Sequence, residues 1–165
     1  STLSPSGDTT TLCEFDTHEG VVKSVRLRDA SVLASTGNDR NVHIFDARTK
    51  AKQVSIVEAH PLAVNSVRWH PSNDHLLLTS SFSPELCLFD LRKPDAALHV
   101  YRDHFPKHVS RTNTITHPVF LNDGEHFLAT GVACTSLAVY HTEKACVVDC
   151  GDLGINATAL ATPPD

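Results

Sequence analysis

Apolar residues along this chain come in short bursts, and turn-forming residues separate one burst from the next. Apolar and polar positions alternate in part within the bursts, as in half-buried strands, and no segment keeps the 3.6-residue period of an amphipathic helix. Clusters such as 29–31 and 37–40 carry the Gly, Asn, Asp and Ser residues that favour turns. The pattern therefore predicts three groups of four strands: 21–27, 32–36, 41–45 and 54–57; 63–69, 76–80, 86–89 and 98–101; 114–121, 127–131, 137–140 and 146–148.

The first two groups of strands repeat one another. The tripeptide at 66–68 repeats that at 24–26 after 42 residues, and Phe89-Asp90 repeats Phe45-Asp46 after 44 residues. Units of this length that end in an aromatic-Asp pair cannot bury their apolar faces alone, so they stack radially. The predicted units are 18–57, 60–101 and 114–150, with partial units at 11–15 and 155–165, all within one segment spanning 1–165.

These repeats resemble those of WD40 proteins over residues 12–160. The resemblance implies an all-β fold, a WD40-type β-propeller with about three full blades and partial blades at both ends. Because closed propellers have four to eight blades, we expect the chain to be a segment of a larger, seven-bladed ring. Phe45, Phe89 and Tyr140 stand where the family usually has tryptophan.

A Ser/His/Asp set within the first unit has two interpretations. His18, Ser35 and Asp39 are the residue types of a nucleophilic catalytic triad. Alternatively, these residues form a structural hydrogen-bond network. The histidine precedes the first strand, the hydroxyl lies on the second strand and the aspartate lies in the next turn, and hydrogen bonds among them would satisfy buried polar groups. The second unit keeps the histidine and the hydroxyl but has Ser83 in place of the aspartate, as expected of imperfectly repeated architecture. We therefore predict no enzymatic activity and a structural network of His18, Ser35, Asp39, Phe45, His60, Thr79 and Phe89.

Composition excludes several classes of partner. A net charge of −5 gives no reason to expect nucleic acid, and no apolar run approaches the ~20 residues of a membrane-spanning helix. Five cysteines without motif spacing indicate reduced thiols, and hence an intracellular protein of the cytoplasm, the nucleus or both. His104 and His108 have a zinc-binding spacing, but no helix or further ligand accompanies them, so we predict no metal and no cofactor.

The aromatic-Asp pair continues into an arginine in both units, as Phe45-Asp46-Ala47-Arg48 and Phe89-Asp90-Leu91-Arg92. This tandem box resembles that of WD40 substrate receptors of cullin-four ubiquitin ligases, the DDB-cullin-associated factors. The resemblance implies a non-enzymatic scaffold in which Asp46, Arg48, Asp90 and Arg92 bind a protein partner, the ligase adaptor, while another face recruits a substrate protein. The alternative is a general WD40 scaffold for peptide binding or assembly in trafficking, chromatin or ribosome assembly.

Overall fold

The computed structural model describes residues 2–3, 9–11, 13–102, 115–121, 123–130 and 136–152. Within these ranges no helix is long and apolar enough to cross a bilayer. The strands are β1 (Thr2–Leu3), β2 (Thr9–Thr10), β3 (Val22–Leu27), β4 (Val32–Gly37), β5 (Val42–Asp46), β6 (Ala51–Ile56), β7 (Val64–Trp69), β8 (Leu76–Ser81), β9 (Leu86–Asp90), β10 (His99–Tyr101), β11 (Val119–Phe120), β12 (His126–Ala129), β13 (Ser136–His141) and β14 (Cys146–Asp152).

Twelve of these strands form three four-stranded antiparallel sheets, each a meander in chain order. We call β3–β6 the first blade, β7–β10 the second and β11–β14 the third. Each blade's second strand pairs with its first and its third, and β4 and β8 are almost fully buried. The predicted all-β fold is confirmed, and β1 and β2 form a separate two-stranded sheet.

The strands depart from prediction where apolar pattern and backbone pairing disagree. Strand β6 begins at Ala51 rather than at 54, because its exposed polar residues pair with β5 through their backbone groups and need no apolar side chains to do so. Strand β11 is only two residues long, and Pro118, which has no amide N–H to donate, directly precedes it.

At 11–15, where a partial unit is expected, the described residues Thr11 and 13–15 are not in a strand. Phe15 instead stacks on Phe45 with ring centroids 4.3 Å apart. The expected partial blade at 155–165 and the candidate ligands His104 and His108 lie outside the described residues.

Two apolar clusters join the blades in sequence. The first and second blades share a core that includes Ile44, Val67 and Phe89. The second and third share one that includes Leu88, Tyr101 and Phe127. Each blade therefore buries its neighbour's apolar face, as the repeat predicts, and burial of this kind is the dominant favourable term in folding.

Two consecutive residues at the end of β7 tie the second blade to both neighbours. The Trp69 indole N–H donates to the Arg26 carbonyl at 3.0 Å, and the Arg28 guanidinium lies over the same indole. On the other side, His70 Nε2 lies 2.9 Å from the Gly124 carbonyl oxygen. Gly124 has φ of +71°, and a Cβ there would lie 2.4 Å from the His70 ring, so only glycine fits this contact.

Candidate functional site

The hairpins place chemically different residues at the two ends of the blades. The turns after β5 and β9 lie at one end and carry Arg48 and Arg92. We call this end the box rim. The turn between β4 and β5, with Asp39, lies at the opposite end, which we call the network rim. The residues predicted from sequence to bind a partner thus lie apart from those predicted to form the blade network.

On the box rim, the two Asp–Arg pairs have the same geometry. Arg48 Nε and Nη2 donate to the two carboxylate oxygens of Asp46 at 3.1 and 2.7 Å. Arg92 Nε and Nη2 donate to those of Asp90 at 2.9 and 2.6 Å. In each pair the aspartate also accepts the backbone N–H of its own arginine. Each guanidinium is therefore held by a bidentate pair, the geometry in which arginine is most precisely oriented.

The two arginines are exposed while their aspartates are not. Arg48 and Arg92 side chains are 71% and 62% exposed, against 10% and 17% for Asp46 and Asp90. Hydrogen bonds from the arginines lower the pKa of Asp46 and of Asp90 to about 2, so both carboxylates stay charged near neutral pH. A guanidinium has five N–H donors, so each arginine keeps donors facing solvent.

In the third blade the box has a different composition. In the first two blades the residue between the aspartate and the arginine, Ala47 or Leu91, donates its backbone N–H to a backbone carbonyl of the same blade. In the third blade Thr142 donates in the same way to the Glu125 carbonyl, so His141 and Glu143 occupy the Asp and Arg positions. His141 Nδ1 accepts the backbone N–H of Glu143, as the aspartates do in the other blades. The exposed Asp–Arg box is therefore restricted to the first and second blades among the blades described.

On the network rim, His18, Ser35 and Asp39 are brought together. His18 Nε2 lies 2.6 Å from Ser35 Oγ, and His18 Nδ1 lies 3.0 and 2.9 Å from the two Asp39 carboxylate oxygens. Burial acts to raise the pKa of Asp39, but hydrogen bonds from His18 and from backbone amides outweigh it and lower that pKa. Phe45 lies beside the set, with its ring centroid 6.1 Å from that of His43.

This order of contacts is that of a hydrolytic triad, but burial separates it from solvent. The side chains of His18 and Asp39 are 6% and 5% exposed, and Ser35 is 5% exposed within β4. A nucleophile must reach the reacting atom of a bound substrate, and this hydroxyl faces its own histidine inside the sheet. The geometry supports the structural interpretation, in which the set pins the segment before β3 to the turn after β4.

The Ser35→Ala variant distinguishes the two interpretations. Removing the hydroxyl leaves His18 Nε2 buried without its partner, so we expect the free energy of unfolding to fall by about 1–3 kcal/mol. Chemical denaturation of the full chain measures this. A variant as stable as wild type would contradict the structural interpretation.

In the second blade the network is smaller and different. His60 Nε2 lies 2.8 Å from Thr79 Oγ1, but Ser83 bonds Ser81 instead of the histidine. The remaining nitrogen, Nδ1, lies 3.9 Å from Cys87 Sγ. Burial lowers the pKa of His60 to about 4 and raises that of Cys87 to about 12, so both are neutral. Phe89 is buried in the core between the first two blades.

Sequence reasoning missed two members of these networks, His43 and Cys87. Each lies on a blade's third strand, paired across the hairpin with the hydroxyl residue, Ser35 or Thr79. The signal that could have found them is the strand register, because residues opposite one another in an antiparallel pair face the same side of the sheet.

Comparison with known proteins agrees with this architecture. Residues 51–90 match the family model described as WD domain, G-beta repeat. The chain is 37% identical over 76 residues to Protein sof1 of Schizosaccharomyces pombe, covering 46% of this chain and 17% of that protein. It is 32% identical over 88 residues to WD-40 repeat-containing protein MSI3 of Arabidopsis thaliana, covering 52% and 20%. It is 33% identical over 95 residues to the RbAp48-related WD40 repeat-containing protein prw1 of S. pombe, covering 54% and 22%.

A solved structure shows the same fold. A chain in the crystal structure of the mitotic checkpoint complex superposes with a TM-score of 0.68 at 19% identity, over 88% of this chain and 41% of that one. The matches span about a fifth of the length of the curated relatives. The three four-stranded blades and the solved structure show a partial WD40-type β-propeller fold, and residues 51–90 match one WD domain, G-beta repeat.

Proposed function

We propose that this chain belongs to a substrate receptor of a cullin-four ubiquitin ligase and binds the ligase adaptor through Arg48 and Arg92. The observation that carries the proposal is the pair of identical, exposed, bidentate Asp–Arg boxes on one rim of adjacent blades. The protein acts in this role as a non-enzymatic interaction scaffold, and its target binds elsewhere on the propeller.

The Asp–Arg pairs suit a docking surface because each aspartate orients its arginine, and not because the pairs stabilise the fold. An exposed salt bridge contributes little to folding, since solvent screens it. Here each aspartate instead fixes the orientation of its guanidinium before any partner arrives, so less side-chain freedom is lost on binding. Arginine is also enriched among the residues that dominate interface energies.

The third blade limits the proposed footprint. Glu143 replaces the arginine there, and Asp123 and Glu125 lie at the same rim. A partner surface complementary to Arg48 and Arg92 would meet like charge at these three carboxylates, which outnumber the neighbouring Lys144, and unpaired like charges oppose association. We therefore place the adaptor on the first and second blades.

A second candidate function comes from the relatives. One relative is described as RbAp48-related, and the second subunit of a histone acetyltransferase of type B from Debaryomyces hansenii is 29% identical over 108 residues. These names favour a scaffold in chromatin assembly, which has the same fold without ligase coupling.

Co-precipitation of the full chain from cells separates the two functions. We expect wild type to recover the cullin-four adaptor and Arg48→Ala/Arg92→Ala to recover about tenfold less or lower, because two oriented anchors are lost. The matched control is Arg40→Ala/Arg102→Ala, which removes exposed arginines paired with Glu58 and Glu85 on the network rim. Recovery of histones without adaptor by wild type would favour the second function, and equal adaptor recovery by both double variants would refute docking through the boxes.

A further inference from the structure

The first blade brings a third titratable side chain to the His18–Asp39 pair. His43 on β5 places its Nε2 4.0 Å from Asp39 Oδ2, and one potential ligand atom from each of His18, Asp39 and His43 lies within 4.8 Å of the others. We propose that these three residues bind a zinc ion. In tetrahedral zinc sites, ligand atoms about 2.0–2.2 Å from the metal lie roughly 3.3 Å from one another. Adjustments of side-chain position would therefore bring these three ligand atoms to zinc, and the fourth position would be left for water.

Both histidines are oriented as zinc ligands are. His18 presents Nδ1 to Asp39 while its Nε2 lies 2.6 Å from Ser35 Oγ. His43 presents Nε2 to Asp39 while its Nδ1 lies 3.0 Å from Ser55 Oγ. Histidines that bind metals almost always bond a second group through the nitrogen that does not face the metal, and this bond fixes the ring.

His43 also has a nitrogen that the fold does not satisfy. The residue is 3% exposed, and within the described ranges its Nε2 makes no hydrogen bond of ordinary geometry. The Asp39 carboxylate, the backbone of Thr17 and the His18 ring, whose centroid is 4.5 Å away, face this ring. Leaving a buried nitrogen unpaired is unfavourable, whereas a metal ion would bond it directly.

Among the blades described, only the first combines two histidines with an aspartate, so the repeated architecture of the blades does not account for this cluster. In the second blade, Ser83 and Cys87 occupy the positions of Asp39 and His43. In the third, Ala129 and Ala138 pair at the positions of Ser35 and His43. A network that served only to pin each blade would not require a second histidine aimed at the same carboxylate.

The ligand chemistry selects the metal. Two imidazoles and one carboxylate are a common ligand set for zinc, and they suit it better than the all-oxygen ligands of calcium or magnesium. Zinc bound at Nδ1 would require the tautomer of His18 that carries its proton on Nε2, and this N–H would donate to Ser35 Oγ. The ion would cross-link the segment before β3, the turn after β4 and strand β5.

Zinc content of the purified full chain tests the proposal. The chain is produced without an affinity tag in zinc-supplemented medium, and bound metal is measured by mass spectrometry. We expect about one zinc per chain in wild type and almost none in His43→Gln. The matched control is His60→Gln, which removes the second blade's histidine and should leave the zinc content unchanged.

A milder variant keeps the test decisive if His43→Gln fails to fold. Ser55→Ala removes the hydroxyl that orients His43 but leaves all three ligands, and we expect zinc affinity to fall about 10–100-fold, as measured by competition with a chromophoric chelator. Wild type that carries no more zinc than His43→Gln, or Ser55→Ala with wild-type affinity, would overturn the proposal.

Discussion

Replacing Phe127 by alanine is expected to lower the free energy of unfolding by about 3–5 kcal/mol, the range for a fully buried aromatic residue. Phe127 lies on β12 at the centre of the core between the second and third blades. Its ring stacks on Tyr140 and meets Tyr101 edge to face, with centroids 5.1 and 4.8 Å away. The variant loses these contacts and leaves a cavity between two blades. Urea denaturation followed by circular dichroism measures the loss.

An exposed apolar residue provides the control for this experiment. Leu27 at the end of β3 is 64% exposed, so Leu27→Ala should change stability by no more than about 0.5 kcal/mol. If Phe127→Ala were as stable as Leu27→Ala, the third blade would not share a core with the second.

Acid is expected to destabilise the chain through His60. Burial lowers the pKa of this histidine to about 4, whereas a histidine in the unfolded chain titrates near 6.5. Between these two values the unfolded chain binds a proton that the folded chain does not, so stability is complete above pH 6.5 and falls as the pH drops toward 4. The loss from this one group approaches about 3 kcal/mol.

The His60→Gln variant isolates that contribution. Glutamine can still bond Thr79 Oγ1 but does not titrate, so the variant should lose less stability than wild type between pH 7 and pH 4.5. Denaturant titrations of both proteins at several pH values give the two slopes. Parallel slopes would show that His60 does not remain neutral in the folded chain.

The sequence predicted best those features that depend on local pattern or on the repeat. Strands β4 and β8 are apolar runs between turn signals, and both were placed within one residue of their ends. Strand β6 begins three residues before its predicted start and β14 ends four residues after its predicted end, because edge strands pair through backbone groups whatever their side chains. Strand β11 is shorter than the predicted 114–121 because Pro118, which has no amide N–H to donate, lies within that range.

The candidate sites likewise contain some contacts that a local sequence pattern predicts and others that depend on strand register. The Asp–Arg pairs are two residues apart in sequence, so their contact is local and was readily predicted. The His18–Ser35–Asp39 set follows from repeat positions. The role of His43 depends on which residue faces Ser35 across a hairpin, and the exchange of box residues for His141 and Glu143 depends on the register of the third blade. Register is set by pairing over distances that a local pattern does not encode.

Titration with purified cullin-four adaptor tests most directly the proposed adaptor-binding surface of Arg48 and Arg92. Isothermal calorimetry on the full chain should show saturable binding by wild type and by the Arg40→Ala/Arg102→Ala control. The Arg48→Ala/Arg92→Ala variant should bind about 100-fold more weakly or worse, as expected when two anchors of an interface are removed. Absence of binding by wild type, or equal dissociation constants for the two double variants, would contradict the claim.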